Sequence, residues 1–350
     1  MDSLSLKIKP AAKIAGFIIG LMILLKIMSF LFGGGFWFAK GYIYDRNARN
    51  AALSLETKGQ IDVLNIGDSL STTALTPLEL FRDYGYTAYN CGQDRQTPIE
   101  SYFSIRTARR TQPIKVVLFE IHNLFEKKYD EGFPKTYVTE YAQYEFPILR
   151  YHYAWLQYWK KRSIRKYFKG FLVDETVVGY KGDVPYYNPD DPYTYPMQWE
   201  NGHMLTQIQK LCEQNGIKLV LVGFVSPKCY NTPVHRRFEK EAKERGLEFV
   251  DLNCDLDRIG IDWENDFYDK GDHVNVFGAE KITAYLGEYV LKKYGMEDHR
   301  GDPAYRSWNE MVAKYEQEVL DMEGTDYFIL EDNAGIQRQI LVLKKMDSDK

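Results

Sequence analysis

Three runs of near-continuous apolar character constrain this chain most: "IDVLNI" at 61–66, "IKVVLFEI" at 114–121 and "IKLVLVGF" at 217–224. A strand that is apolar on both faces has to be covered on both faces, which is the condition of a parallel sheet held between helices. The intervals between the runs supply those covers. Residues 76–84 (with Pro77 in the first turn), 100–110, 202–215 and 234–245 read as helices, and 86–90 and "LEFVDLN" at 247–253 read as further strands. A last helix within "GAEKITAYLGEYVLKKYG" closes the alternation. The expected fold class is α/β, a three-layer α/β/α doubly wound parallel sheet, with reactive groups at the carboxyl ends of its strands.

Two segments depart from this rhythm. Residues 14–39 are apolar apart from Lys26 and a few small residues, enough for one bilayer crossing as a helix. Lys7, Lys9 and Lys13 precede the run, so the positive-inside rule leaves the short tail in the cytoplasm and the chain beyond about residue 40 outside the cell. Its length and the lack of an Ala-x-Ala site before Lys40 favour an uncleaved anchor over a signal peptide. Lys26 in mid-span has to snorkel, face a partner protein, or mark the end of a shorter span. The second departure is 126–200, which carries Tyr141, Tyr144, Tyr151, Tyr153, Trp155, Tyr158 and Trp159, then the basic run "KKRSIRKYFKG" and the loop "VPYYNPDDPYTYP". It reads as an aromatic-rich insertion forming a cap or groove wall, or as a helical subdomain with a solvated basic face. The expected organisation is 1–40 tail and transmembrane anchor, 41–60 stalk, 61–300 main domain with its insertion, and 301–350 an appendage of one helix and two strands.

A net charge of −4 and a pI near 6.0 give no electrostatic footprint for nucleic acid. No Gly-x-Gly-x-x-Gly follows the first strand and no Gly-Lys-Ser/Thr loop occurs, which removes the common nucleotide sites. Cys91, Cys212, Cys229 and Cys254 show no metal-ligand spacing; they read as mostly buried free thiols, with one disulfide left open as the alternative, and neither metal nor cofactor is expected.

The chemistry begins where the first strand ends, at "GDSL". Gly67 suits a tight turn, and Ser69 falls at the start of the next helix, where unpaired N–H groups carry partial positive charge. A serine there can present a nucleophilic oxygen while its own N–H faces a developing oxyanion; equally, Asp68 and Ser69 can simply cap the helix. "DFYDKGDHVNVFGAEK" shifts the balance. It places His273 in the loop before the last helix with Asp269 and Asp272 close by, and a serine nucleophile needs such a base and such a carboxylate.

On "IGDSL" and the late Asp-His loop the sequence resembles the SGNH (GDSL-type) hydrolase superfamily, whose fold is flavodoxin-like. With the amino-terminal anchor, "LFRDYGYTAYNCG", "VVLFEI" and "HVNVFGAEK", it looks like the membrane-anchored branch of D-alanyl-lipoteichoic acid (DltD-like) and alginate O-acetylation proteins. The resemblance covers 61–125 and 217–295. It implies Ser69 as nucleophile, His273 as general base, and an oxyanion hole from the N–H groups of Ser69 and Gly92 and the side chain of Asn123, with Gln96 and His122 as substitutes or neighbours. The family's aspartate stands three residues before the histidine, where this chain has Lys270. Asp269 is the favoured partner if Gly271 lets the loop bulge, and Asp272 is the alternative; Asn275 and Gly278 shape the turn into the helix. The implied activity is a serine esterase or O-acyltransferase acting on an acyl ester or a cell-surface polymer, with a membrane O-acyltransferase as partner. The contrasting expectation is an inactive anchored domain that binds polymer or scaffolds that partner.

Overall fold

The computed structural model describes residues 2–39, 46–125, 129–157, 167–184, 186–323, 325–331 and 337–343. The apolar runs become five parallel strands: β1 (Val63–Ile66), β2 (Ala88–Asn90), β3 (Val116–Glu120), β4 (Lys218–Gly223) and β5 (Glu248–Asp251). Their order is β2-β1-β3-β4-β5. Every residue of β1, β2 and β3 is buried, as continuous apolar runs require, whereas β5 lies at the sheet edge and stays half-exposed.

Helices form two packed groups. Ser69–Ala74, Pro77–Glu79, Val276–Tyr294 and Arg306–Glu323 pack among themselves, while Pro98–Ala108, His122–Phe125 and Trp199–Glu213 form a second group. The chain order reverses between β1 and β3, the switch point where an open α/β sheet offers a crevice at its carboxyl edge. Local chemistry sets the helix starts. Thr97 and Glu100 form a reciprocal capping box (3.2 and 2.7 Å), and Asn275 caps the last sheet helix by accepting from the N–H groups of Phe277 and Gly278 (3.1 and 3.2 Å). The expected helix at 76–84 is a short α-turn that opens into a π-helix, Leu80–Tyr84, and ends at Gly85 with φ 81°.

The expected insertion at 126–200 is not one body. By its contacts the chain divides into residues 1–55 with 131–164, and residues 56–130 with 165–350. In the first unit the helix Asp2–Leu31 packs on Pro147–Tyr151, which in turn meets Phe133–Glu145. Within Pro10–Ala39 an 18-residue window has a mean hydropathy of 2.4, and the helix is long and apolar enough to cross a membrane. Lys26 finds its partner inside this unit: its ammonium donates to the Glu145 carbonyl (2.7 Å), pairs with the Glu145 carboxylate (2.8 Å), and lies 4.9 Å from the centre of the Phe146 ring. Most of the basic run at 160–170 lies outside the described residues, as do Tyr158 and Trp159.

The second unit holds the sheet and the loop "YYNPDDPYTY" beside it. Tyr186 donates to Asn253, Tyr187 donates to Asp251 (2.9 Å), and Asn188 N–H donates to Thr232 Oγ1 (2.7 Å), so this loop is pinned over the carboxyl end of β5. The tail is the helix Arg306–Glu323 and an antiparallel ribbon of Thr325–Glu331 with Gln337–Leu343. All four cysteines are free; Cys91 and Cys212 are buried as expected, but Cys229 is only partly covered and Cys254 is exposed, because both lie in loops beyond the strands.

Candidate active site

Because all five strands are parallel, the loops after β1, β3, β4 and β5 open on one rim of the sheet. Ser69 is the first residue of its helix, half-buried, and Asp68 caps that helix by accepting from Leu70 N–H (3.2 Å). No described residue hydrogen-bonds to the Ser69 hydroxyl or its N–H. Gly67 serves a different purpose from the one expected. Its φ lies outside the left-handed region, and a methyl group there would overlap Glu120 Cβ, so the glycine is required by close approach. Gly67→Ala is expected to destabilise the fold by about 1–3 kcal/mol through overpacking, readable as a lowered melting temperature together with reduced Ser69 reactivity.

On the opposite loop, His273 Nδ1 pairs with Asp269 Oδ2 at 2.6 Å and its backbone N–H donates to Asp269 Oδ1 at 2.7 Å. Asp272 Oδ2 stands 3.9 Å from the same nitrogen, so Asp269 is the carboxylate that orients the ring. The extra residue is absorbed as the expected bulge: Lys270 and Gly271 both take left-handed conformations, with φ 66° and 89°. A bridge between Phe267 and Val274 closes the loop, and Tyr268 stacks on the imidazole at 5.4 Å. His273 Nε2 is buried and has no partner among the described residues. Burial opposes the charged imidazole, but the Asp269 hydrogen bond and the charges of Asp269, Asp272 and Asp68 outweigh it and raise its pKa above 6.5.

A polar relay joins the two loops. Asp68 Oδ2 meets His122 Nδ1 at 2.5 Å, His122 and Cys229 influence each other's titration, and Cys229 Sγ donates to Asp272 Oδ1 at 3.0 Å. Beneath it Glu120, the last residue of β3, accepts from Asp68 N–H (3.3 Å), His122 N–H (2.5 Å) and the Tyr230 hydroxyl. Glu120 is fully buried, and burial followed by the Asp68 charge pushes its carboxyl well above the usual range. His122 is raised as well: burial acts against its charge, but Asp68, Cys229 and Glu120 overcome it. Glu120 and Tyr230 were missed in the sequence. The available signal was a single acid at the carboxyl end of an otherwise apolar strand.

The expected oxyanion donors fare unequally. Gly92 N–H donates to Asn90 Oδ1 at 3.0 Å, and a Cβ on Gly92 would collide with Ser71 Oγ, so this glycine lies packed against the serine helix with its donor engaged. Asn123 is buried and its amide donates to Ser101 Oγ at 3.3 Å, on the helix Pro98–Ala108. Gln96, the substitute, is fully buried beside Gln93, and both amide atoms of each lack partners among the described residues. The Gln93 backbone is tied to Gly67 O at 3.2 Å, which holds this loop against the serine loop. Asn275 and Gly278 shape the helix start as expected, with Gly278 lying against the Asp266 carbonyl.

No known protein family's model matches the sequence, and no curated protein matches it. Similar solved structures include a GDSL-like lipase from Bacteroides thetaiotaomicron, 15% identical, with a TM-score of 0.34 over 72% of this chain and 98% of that one. Two proteins named as putative are also similar. One is an acylhydrolase from Bacteroides fragilis, 12% identical, TM-score 0.38, covering 70% of this chain and 95% of that one. The other is a platelet activating factor from Streptococcus pneumonia, 12% identical, TM-score 0.40, covering 80% and 99%. At these TM-scores the likeness carries no functional weight, and the chemistry rests on the side chains around Ser69 and His273.

Proposed function

We propose that this chain is a membrane-anchored, extracytoplasmic serine acyl-transfer enzyme of the SGNH type that acts on ester bonds. One observation carries the reading: an imidazole held at Nδ1 by Asp269, with a buried and unengaged Nε2, on the rim that also holds an unengaged serine hydroxyl at a helix start. Ser69 Oγ attacks the acyl carbon of the ester and its proton passes to His273 Nε2. The tetrahedral intermediate collapses to an acyl-serine as His273 protonates the departing alcohol. Water or an acceptor hydroxyl then attacks the acyl-serine, His273 takes that proton, and Ser69 regains it. The Ser69 N–H is the open oxyanion donor. Substrate entry has to release Gly92 from Asn90 to add a second, and the unpaired amides of Gln93 and Gln96 are groups that a polar substrate can satisfy.

The finer reading is acyl transfer to a cell-surface polymer beside a membrane O-acyltransferase, supported by the apolar amino-terminal helix and the sequence resemblance. A second reading, an inactive polymer-binding domain, is favoured by the engaged donors of Gly92 and Asn123. A fluorophosphonate probe on the full-length chain separates the two. The enzyme reading expects a covalent adduct on Ser69, absent from Ser69→Ala and strongly slowed in His273→Ala. An intact protein that takes no label, or labels equally without His273, leaves the binding domain.

A further inference from the structure

A second group of reactive side chains stands at the sheet edge, away from Ser69. His235 projects from the helix Thr232–Arg245, Asp251 is the last residue of β5, and Cys254 ends the turn Leu252–Cys254. His235 Nδ1 lies 2.7 Å from Asp251 Oδ2 and 3.6 Å from Cys254 Sγ, and the three ligand atoms all fall within 4.8 Å of one another. Their spread over a helix, a strand and a turn explains why ligand spacing in the sequence gave no hint of them.

The set has the marks of a built site. The Asp251 side chain is only 4% exposed. Its Oδ1 accepts from the Asn253 N–H (3.0 Å) and Nδ2 (2.8 Å), and its Oδ2 accepts from the Tyr187 hydroxyl (2.9 Å), so the carboxylate is held by outer groups as ligating carboxylates are. The ligands border an open cleft of about 390 Å³, also lined by Glu239, Lys243 and Phe249. Geometry agrees with a tetrahedral ion. Zinc bonds of about 2.3 Å to sulfur and about 2.0–2.1 Å to nitrogen put the two donors about 3.5 Å apart, close to the 3.6 Å found between Nδ1 and Sγ. The nitrogen–oxygen pair has to open by about 0.6 Å as the shared proton gives way to metal. Thiolate, imidazole and carboxylate together select a zinc-class cation over magnesium or calcium.

We propose that His235, Asp251 and Cys254 bind one zinc-class divalent cation, with the fourth coordination position open to the cleft. The ion would tie the helix Thr232–Arg245 to the end of β5 and, through Tyr187, to the loop above it. The proposal stands apart from the acyl-transfer reading and survives its failure. The test is calorimetric titration of the chelator-stripped, full-length chain in detergent with zinc chloride. One zinc per chain is expected, lost in Cys254→Ser and His235→Ala and retained in His273→Ala, which removes the Asp269/Asp272/His273 cluster as a rival. Tyr187→Phe should weaken uptake about tenfold through the outer shell. Cobalt(II) in place of zinc should give thiolate-to-metal charge-transfer absorption in the wild-type chain. No uptake, cobalt bound without that absorption, uptake unchanged in Cys254→Ser, or uptake abolished by His273→Ala would each overturn the proposal.

Discussion

Asp269→Asn is expected to lower acyl turnover by about 10⁴-fold while leaving the protein folded and Ser69 accessible. The asparagine keeps an oxygen or a nitrogen near Nδ1 but removes the charge that fixes the ring and stabilises the imidazolium formed in the transition state. Asp272, at 3.9 Å from Nδ1, lies too far to replace it, so Asp272→Asn should cost far less. The pH profile supplies an independent reading. His273 must be neutral to accept a proton, and its folded pKa is raised above 6.5, so activity should climb as pH rises through that raised value. Without the Asp269 charge the climb moves toward lower pH. Initial rates with p-nitrophenyl acetate across pH test both; a variant with equal loss at Asp269 and Asp272 and an unmoved profile would discard the triad assignment.

Glu120→Ala is expected to destabilise the sheet domain by about 3–5 kcal/mol. It strips the acceptor from the Asp68 and His122 N–H groups and the Tyr230 hydroxyl, and a buried donor left unpaired costs about 1–3 kcal/mol. Glu120→Gln keeps one oxygen for His122 and Tyr230 but sets an amide NH₂ against the Asp68 N–H, so it should cost less than half as much. The pH dependence follows from the direction of the shifts. Glu120 and His122 both have folded pKa values raised above their unfolded ones, so each contributes stability that is fully present below the unfolded value (4.5 and 6.5) and is lost as pH rises through the folded value. The wild-type melting temperature should therefore fall from mildly acidic to alkaline buffer, and Glu120→Ala should flatten that fall. A Glu120→Ala protein that melts like wild type would show that the buried carboxyl does not hold the serine loop.

The sheet was legible because burial on two faces leaves a strong trace: "VVLFEI" and "LVLVGF" can hardly be anything but covered strands. Boundaries moved by a residue or two, as with 86–90 becoming Ala88–Asn90. The Asp269 contact was also readable, since Gly271 permits the backbone to turn back on itself. The rest depended on long-range pairing that no local pattern encodes. Nothing in "EIHNLF" announces that His122 reaches Asp68, 54 residues away, or that Glu120 meets Tyr230. The π-turn at Leu80–Tyr84 leaves no mark in a 3.6-residue period, and the division of 126–200 follows from where Phe133–Glu145 finds its packing, not from its composition.

The Lys26–Glu145 pair changes what the amino-terminal helix is for. Lys26 pairs with Glu145 at 2.8 Å and its helix packs on Pro147–Tyr151, so the stretch that is apolar enough to cross a membrane is also a folding partner instead of a mere tether. Expressing the protein without its first forty residues would remove the Lys26 ion pair from Glu145 and bare the side of Pro147–Tyr151 that packs on this helix, so solubility gained by truncation would come at the cost of an intact first unit.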